Sequence, residues 1–148
     1  MVDYLSATEH EKSFGEPQLA DIRKEWGWVR QGIEEMLGDN EYLGIIPEDV
    51  FVACKTGAAH LWITEEGFVV TTGETDMIND ERTFLIWLAW AHEKGGSVAV
   101  RWLEFFENVA KEAGFTKFEV RTKYPPLGDY LQNKLGFELV TANFGRRI

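Results

Sequence analysis

Phe84-Leu85-Ile86-Trp87-Leu88-Ala89-Trp90-Ala91 runs without a polar residue into His92-Glu93-Lys94-Gly95-Gly96-Ser97-Val98-Ala99-Val100. The first eight residues favour strand and show no polar alternation, so both faces of that strand must be covered, which makes it an interior strand of a sheet. After the glycine pair, Val100, Leu103, Phe106, Val109 and Ala110 share one face of a helix that Gly114 ends. A helix opening directly after a Gly-rich turn aims backbone N–H groups and the positive end of its dipole at one point, an anion site suited to a pyrophosphate. Gly95, Gly96, Ser97, Val98, Ala99 and Val100 would supply those amides, and their small side chains would let a phosphate approach the backbone. A Gly-Gly pair before a helix also serves as a plain turn.

Working outward, Leu19, Ile22, Trp26, Val29, Ile33, Met36 and Leu37 recur at helical spacing between Pro17 and Gly38, which predicts a first helix from Pro17. Trp26 and Trp28 cannot both face the core of that helix, so one is expected to be exposed as a contact surface. Pro47-Glu48-Asp49 opens a second helix that Gly57 stops. Strands are predicted over residues 60–64, 68–75 and 82–91, with Glu65-Glu66-Gly67 as the tight turn between the first two. Trp87 and Trp90, three apart on a strand, are expected on opposite faces. Beyond the long helix come a strand over 115–122, a short helix over 126–135 and a last strand over 137–143. Residues 1–16 read as an arm, with Val2 to Leu5 a candidate edge strand. The order implies one mixed α/β domain spanning 1–148, with helices on both faces of a sheet.

Several of these segments together carry a family resemblance. Lys94-Gly95-Gly96-Ser97-Val98-Ala99, the helix ending Ala113-Gly114-Phe115, a strand, and Leu131-Gln132-Asn133-Lys134-Leu135-Gly136-Phe137 resemble the GNAT superfamily of acyl-CoA-dependent N-acetyltransferases over residues 60–142. Length and acidic N-terminal helices also look like small GNAT-like proteins of bacteriophages. The resemblance implies a GNAT-like (acyl-CoA N-acyltransferase) fold with a mostly antiparallel central sheet. It also implies acetyl-CoA as donor, the backbone of Leu88, Ala89 and Trp90 pairing with pantetheine, and the loop amides holding the pyrophosphate. Two registers approach the family's loop pattern, Lys94, Ser97 and Ala99 or His92, Gly95 and Ser97, and in either one an expected residue is replaced.

The family's tyrosine, general acid for the thiolate, falls at Gln132, which has no proton to give it; Tyr130 and Tyr124 are the nearby phenols, and Tyr130 lies about 200° around a helix from Gln132. Since residues 84–91 contain no ionisable group, a general base must come from elsewhere. Glu74 and Asp76 at the end of the preceding strand, Glu119 on the following one and His92 are the candidates. Glu74, Asp76, Asp80 and Glu81 read also as a solvated turn. Cys54, among apolar neighbours, reads as a buried small hydrophobe rather than a nucleophile.

The 148 residues carry 25 acids against 15 bases, net −10. Residues 1–91 hold 18 acids and 6 bases, net −12, and residues 92–148 hold 7 acids and 9 bases, net +2. That field disfavours nucleic acid, suits a cationic partner near the N-terminal part and tolerates a phosphorylated ligand near the C-terminal part. One cysteine and three histidines supply no disulfide and little for a metal site. The apolar run is far shorter than the ~20 residues of a membrane helix, so the protein is expected in the cytoplasm, a host's if phage-encoded, or in a virion. Two functions compete: acetyl transfer from acetyl-CoA to a small-molecule or peptide amine, and a catalytically inactive GNAT-fold binding or structural protein, with a protein partner or as a homo-oligomer. Only 11 residues follow Phe137, so the sheet is expected to be one strand short or to be completed by another copy.

Overall fold

The computed structural model describes residues 15–39, 44–93, 98–122 and 125–148. The candidate edge strand at Val2 to Leu5, most of the 1–16 arm, Tyr124 and the loop residues Lys94, Gly95, Gly96 and Ser97 lie outside the described residues. In chain order the elements are β1 (Gln18–Ala20), α1 (Ile22–Asp39), α2 (Pro47–Thr56), β2 (Ala59–Ile63), β3 (Gly67–Thr75), β4 (Arg82–Ala91), α3 (Val98–Arg101), α4 (Leu103–Glu112), β5 (Lys117–Val120) and α5 (Pro125–Lys134).

The strands form one sheet in the order β1-β2-β3-β4-β5, antiparallel except for the parallel β4–β5 pair. The β2–β3 turn forms where the sequence places it: Thr64 N donates to Gly67 O at 2.9 Å, and the Thr64 hydroxyl accepts from the amides of Glu66 and Gly67. The parallel β4–β5 pairing requires a crossover, which α3 and α4 supply. Trp102 N donates to Val98 O at 3.2 Å and Phe106 N to Trp102 O at 3.0 Å, so the two helices run nearly end to end.

The sheet is covered on both faces. On one, Ile22, Val29 and Ile33 of α1 and Val50 of α2 bury against Leu61, Phe68, Val70 and Leu88; burial of each such side chain contributes about 1.5–3 kcal/mol. On the other, Val98, Ala99, Phe106 and Ala110 pack on Trp62, Val69, Phe84 and Ile86. The Trp62 indole donates to the buried Thr71 hydroxyl at 3.0 Å, which satisfies both groups. α2 starts at Pro47 with Asp49 accepting from Ile46 N at 2.9 Å, and it ends at Gly57, whose φ of 86° suits glycine.

Four expectations change. The first helix starts at Ile22, not Pro17, because Asp21 caps it, accepting from Arg23 N at 2.9 Å; Gln18–Ala20 instead pairs with β2 and leaves Leu19 exposed. Neither Trp26 nor Trp28 is an exposed contact residue: Trp26 packs edge-on to Phe51, and Trp28 contacts Phe68 and Trp90. Trp87 and Trp90 lie on the same face, both against the α1 cluster. The cause is a β-bulge: Val70 pairs with Leu88 and Thr71 with Ile86, so Trp87 is an extra residue and the alternation reverses beyond it. The strand expected at 137–143 does not form; residues 135–148 hold no regular element and are mostly exposed.

Candidate functional site

The bulge and the divergence of two strands create the site. β5 pairs with β4 only from Thr83↔Lys117 to Ile86↔Val120, whereas β4 continues on β3 as far as Ala91. Five residues, Trp87 to Ala91, therefore present a backbone edge with no strand partner among the described residues. Backbone N–H and C=O groups left in this way take partners from water or from an extended ligand rich in amides. Because the bulge reverses the alternation, the small Ala89 and Ala91 face the α3–α4 side while Leu88 and Trp90 face α1.

At the end of β4 a cleft of about 740 Å³ is lined by Glu65, Glu66, Ala91, His92, Glu93, Val98, Val100 and Arg101. Among the described residues three carboxylates and one guanidinium line it. The Arg101 guanidinium is held by Glu66 at 2.6 Å. His92 caps an aromatic stack, its ring 5.6 Å from Trp28 and 4.8 Å from Trp90, and its amide donates to Glu66 O at 2.8 Å. Of the expected anion loop, Val98 and Ala99 are buried at the start of α3, and Val98 and Val100 line this cleft.

The candidate bases are placed very differently. Phe118 and Val120 pack toward α4, so Glu119 between them points to the α1 face, one residue before β4–β5 pairing ends. Arg121 reaches back from the end of β5 and links two of the candidates, contacting Glu119 Oε1 through Nε at 3.3 Å and Nη2 at 3.1 Å, and both oxygens of Glu74. The Arg121 hydrogen bonds hold the Glu74 carboxyl below its ordinary range, against a smaller opposing effect of burial. Asp76 is at the far end of the sheet from the opening, where its carboxylate accepts from the amides of Ile78 and Asn79; those bonds lower its pKa. Tyr130 on α5 is exposed, while its neighbour Leu131 is buried. Burial raises the Cys54 thiol to about 11. Arg121 was not singled out from the sequence; an Arg two residues after Glu119 on a strand was the available signal.

No group of three or more potential metal ligands occurs among the described residues, and no described helix is long and apolar enough to cross a membrane. By sequence the chain matches no family model and no curated protein. Its three-dimensional structure resembles ribosomal-protein-alanine N-acetyltransferase from Brucella melitensis biovar Abortus 2308, with TM-score 0.64 and 14% identity over 90% of this chain and 98% of that one. It also resembles a predicted acetyltransferase from Clostridium acetobutylicum solved with acetyl-CoA, with TM-score 0.64 and 17% identity over 89% and 95% of the two chains. An acetyltransferase from Trypanosoma brucei superposes with TM-score 0.58 at 11% identity, over 90% of this chain and 99% of that one. The five-stranded, mostly antiparallel sheet, its two helical layers and its parting β4 and β5 thus give this chain a GNAT-like acetyltransferase fold.

Proposed function

We propose that the chain transfers an acyl group from an acyl-CoA to an amine. The observation that carries this reading is the backbone edge of β4 from Trp87 to Ala91, beyond the last β5 pair, which no strand among the described residues pairs. Two amide groups spaced along a pantetheine arm match that edge as an added strand would, and the backbone of Leu88, Ala89 and Trp90 is the segment assigned to hold it. The residues from Lys94 to Val100 are assigned to the phosphates, with Arg101 as the cation beside them.

Glu119 is the carboxylate assigned to take the proton from the attacking amine. It stands where the strands part, and both Arg121 contacts fall on its Oε1, whereas both oxygens of Glu74 are engaged by the same guanidinium. Glu74 thus acts through Arg121 as a positioning residue, and Asp76 serves its turn. Attack forms the new C–N bond and breaks the C–S bond; the phenol of Tyr130 is assigned to return a proton to the departing sulfur. The acidic N-terminal portion draws a cationic amine toward the α1 face. Gln132 motivates the alternative of a non-catalytic structural component, which finds no support among the structural neighbours.

Calorimetric titration with acetyl-CoA tests the reading. The expected outcome is binding accompanied by amide NMR shifts at Trp87 to Ala91. No heat at about 1 mM ligand, a concentration at which even ~4 kcal/mol of binding registers, would overturn it. Given binding, Glu119→Gln is expected to lower kcat about 100-fold or more with donor affinity retained.

A further inference from the structure

We propose that the indole of Trp87 sets the length of the acyl group, admitting a short chain at the point where β4 and β5 join and rejecting a long one. This rests on the acyl-transfer reading above and adds to it a specificity-determining side chain. The edge from Trp87 to Ala91, which no described strand pairs, is five residues long and spans about 16 Å, comparable to the reach of an extended pantetheine arm. An arm whose phosphates lie beyond Ala91 therefore brings its sulfur to Trp87, and the acyl carbons come next.

Ahead of those carbons the sheet is closed. Ile86 pairs with Val120, so an acyl chain cannot continue along the line of the strands and must turn to one face or the other. The α3–α4 face is filled there: Ile86 and Phe106 are 3% and 0% exposed, and Val120 packs against the same cluster. Added methylenes find no room in an interior so packed without displacing it. The α1 face is the remaining exit, and Trp87 lies on it, half-buried and held against the α1 cluster. Because of the bulge Leu88 shares that face, so two consecutive large side chains wall the exit. Glu119, paired across from Leu85, points to the same face. A long acyl chain turned this way would meet the indole and take the space that the amine needs beside its base.

Calorimetric titration of the full chain with CoA, acetyl-CoA and hexanoyl-CoA tests this. The parent is expected to bind hexanoyl-CoA at least about tenfold more weakly than acetyl-CoA, the discrimination that crowding of a few methylenes produces. Trp87→Ala is expected to bind hexanoyl-CoA as tightly as acetyl-CoA or more tightly, since the added methylenes then find apolar surface to cover. Trp87→Phe, which keeps a ring in the α1 cluster, is expected to show a smaller shift of the same sign, and it decides the matter if circular dichroism shows the alanine variant unfolded. CoA carries no acyl group and so separates the two readings. If none of the three ligands binds, acyl transfer is overturned and Trp87's role with it. If CoA binds and the parent takes hexanoyl-CoA as tightly as acetyl-CoA, or the folded variant keeps the parent's ratio, the role of Trp87 is overturned while the transfer reading stands.

Discussion

Arg121 donates to both carboxylate oxygens of Glu74, at 2.7 and 3.0 Å, and so ties the end of β5 to β3 across the intervening strand β4. Both side chains are about half exposed, so solvent and salt screen the pair and its contribution is small, about 0.5 kcal/mol. The sign of its pH dependence follows from the lowered Glu74 pKa. A depressed carboxyl stabilises the fold above its unfolded value of about 4.5, and that stabilisation is lost as pH falls through the folded value. Arg121→Gln should therefore be less stable than the parent at pH 7 in urea titrations, and the gap should close as the pH falls below the ordinary carboxylate range and Glu74 protonates. A gap independent of pH would remove Glu74 as the partner that matters.

Two glycines of α1 should respond to alanine in opposite directions. A Cβ at Gly27 meets nothing within 4 Å, so Gly27→Ala should stabilise by about 0.5–1 kcal/mol through helix propensity alone. At Gly32 a Cβ would stand 2.7 Å from the Phe68 ring and 2.8 Å from Trp90, so α1 approaches the sheet closely there. Gly32→Ala should cost about 1–3 kcal/mol by overpacking. Thermal melts of the two variants check both signs.

Cys54 should resist alkylation. With its thiol raised from 9.0 to about 11 by burial, the thiolate fraction near pH 8 falls about 100-fold relative to an exposed cysteine. Iodoacetamide labelling followed by mass spectrometry should be slow in the native protein and fast in urea. Equal rates would show that the α2 site is open.

The Glu66–Arg101 pair should compete with the donor. Arg101 is held at 2.6 Å by a carboxylate that also adds negative charge to the cleft where phosphates are assigned. Glu66→Gln should tighten acetyl-CoA binding several-fold and Arg101→Ala should weaken it, both effects shrinking with added salt. Calorimetry at two ionic strengths reads them, and unchanged affinity in both variants would place the phosphates away from this cleft.

Local chemistry determined much of this molecule. The apolar run 84–91 is covered on both faces, Glu65-Glu66-Gly67 makes its turn, and Pro47 and Gly57 bound α2, because each depends on neighbours within a few residues. The order of elements from the first helix to α5 was legible for the same reason, while the GNAT-like fold was implied by the family resemblance of residues 60–142. Tertiary structure decided the rest. One extra residue at Trp87, set by the register of β4 on β3, turned two tryptophans to one face and the small alanines to the other. Sheet pairing with β2 claimed Gln18–Ala20 from the expected helix, and the segment after Phe137, with every local mark of a strand, found no partner to pair with. The grouping of Glu74, Glu119 and Arg121 joins residues up to 47 positions apart. Such contacts depend on how strands twist and part in space, and no local pattern of residues encodes that.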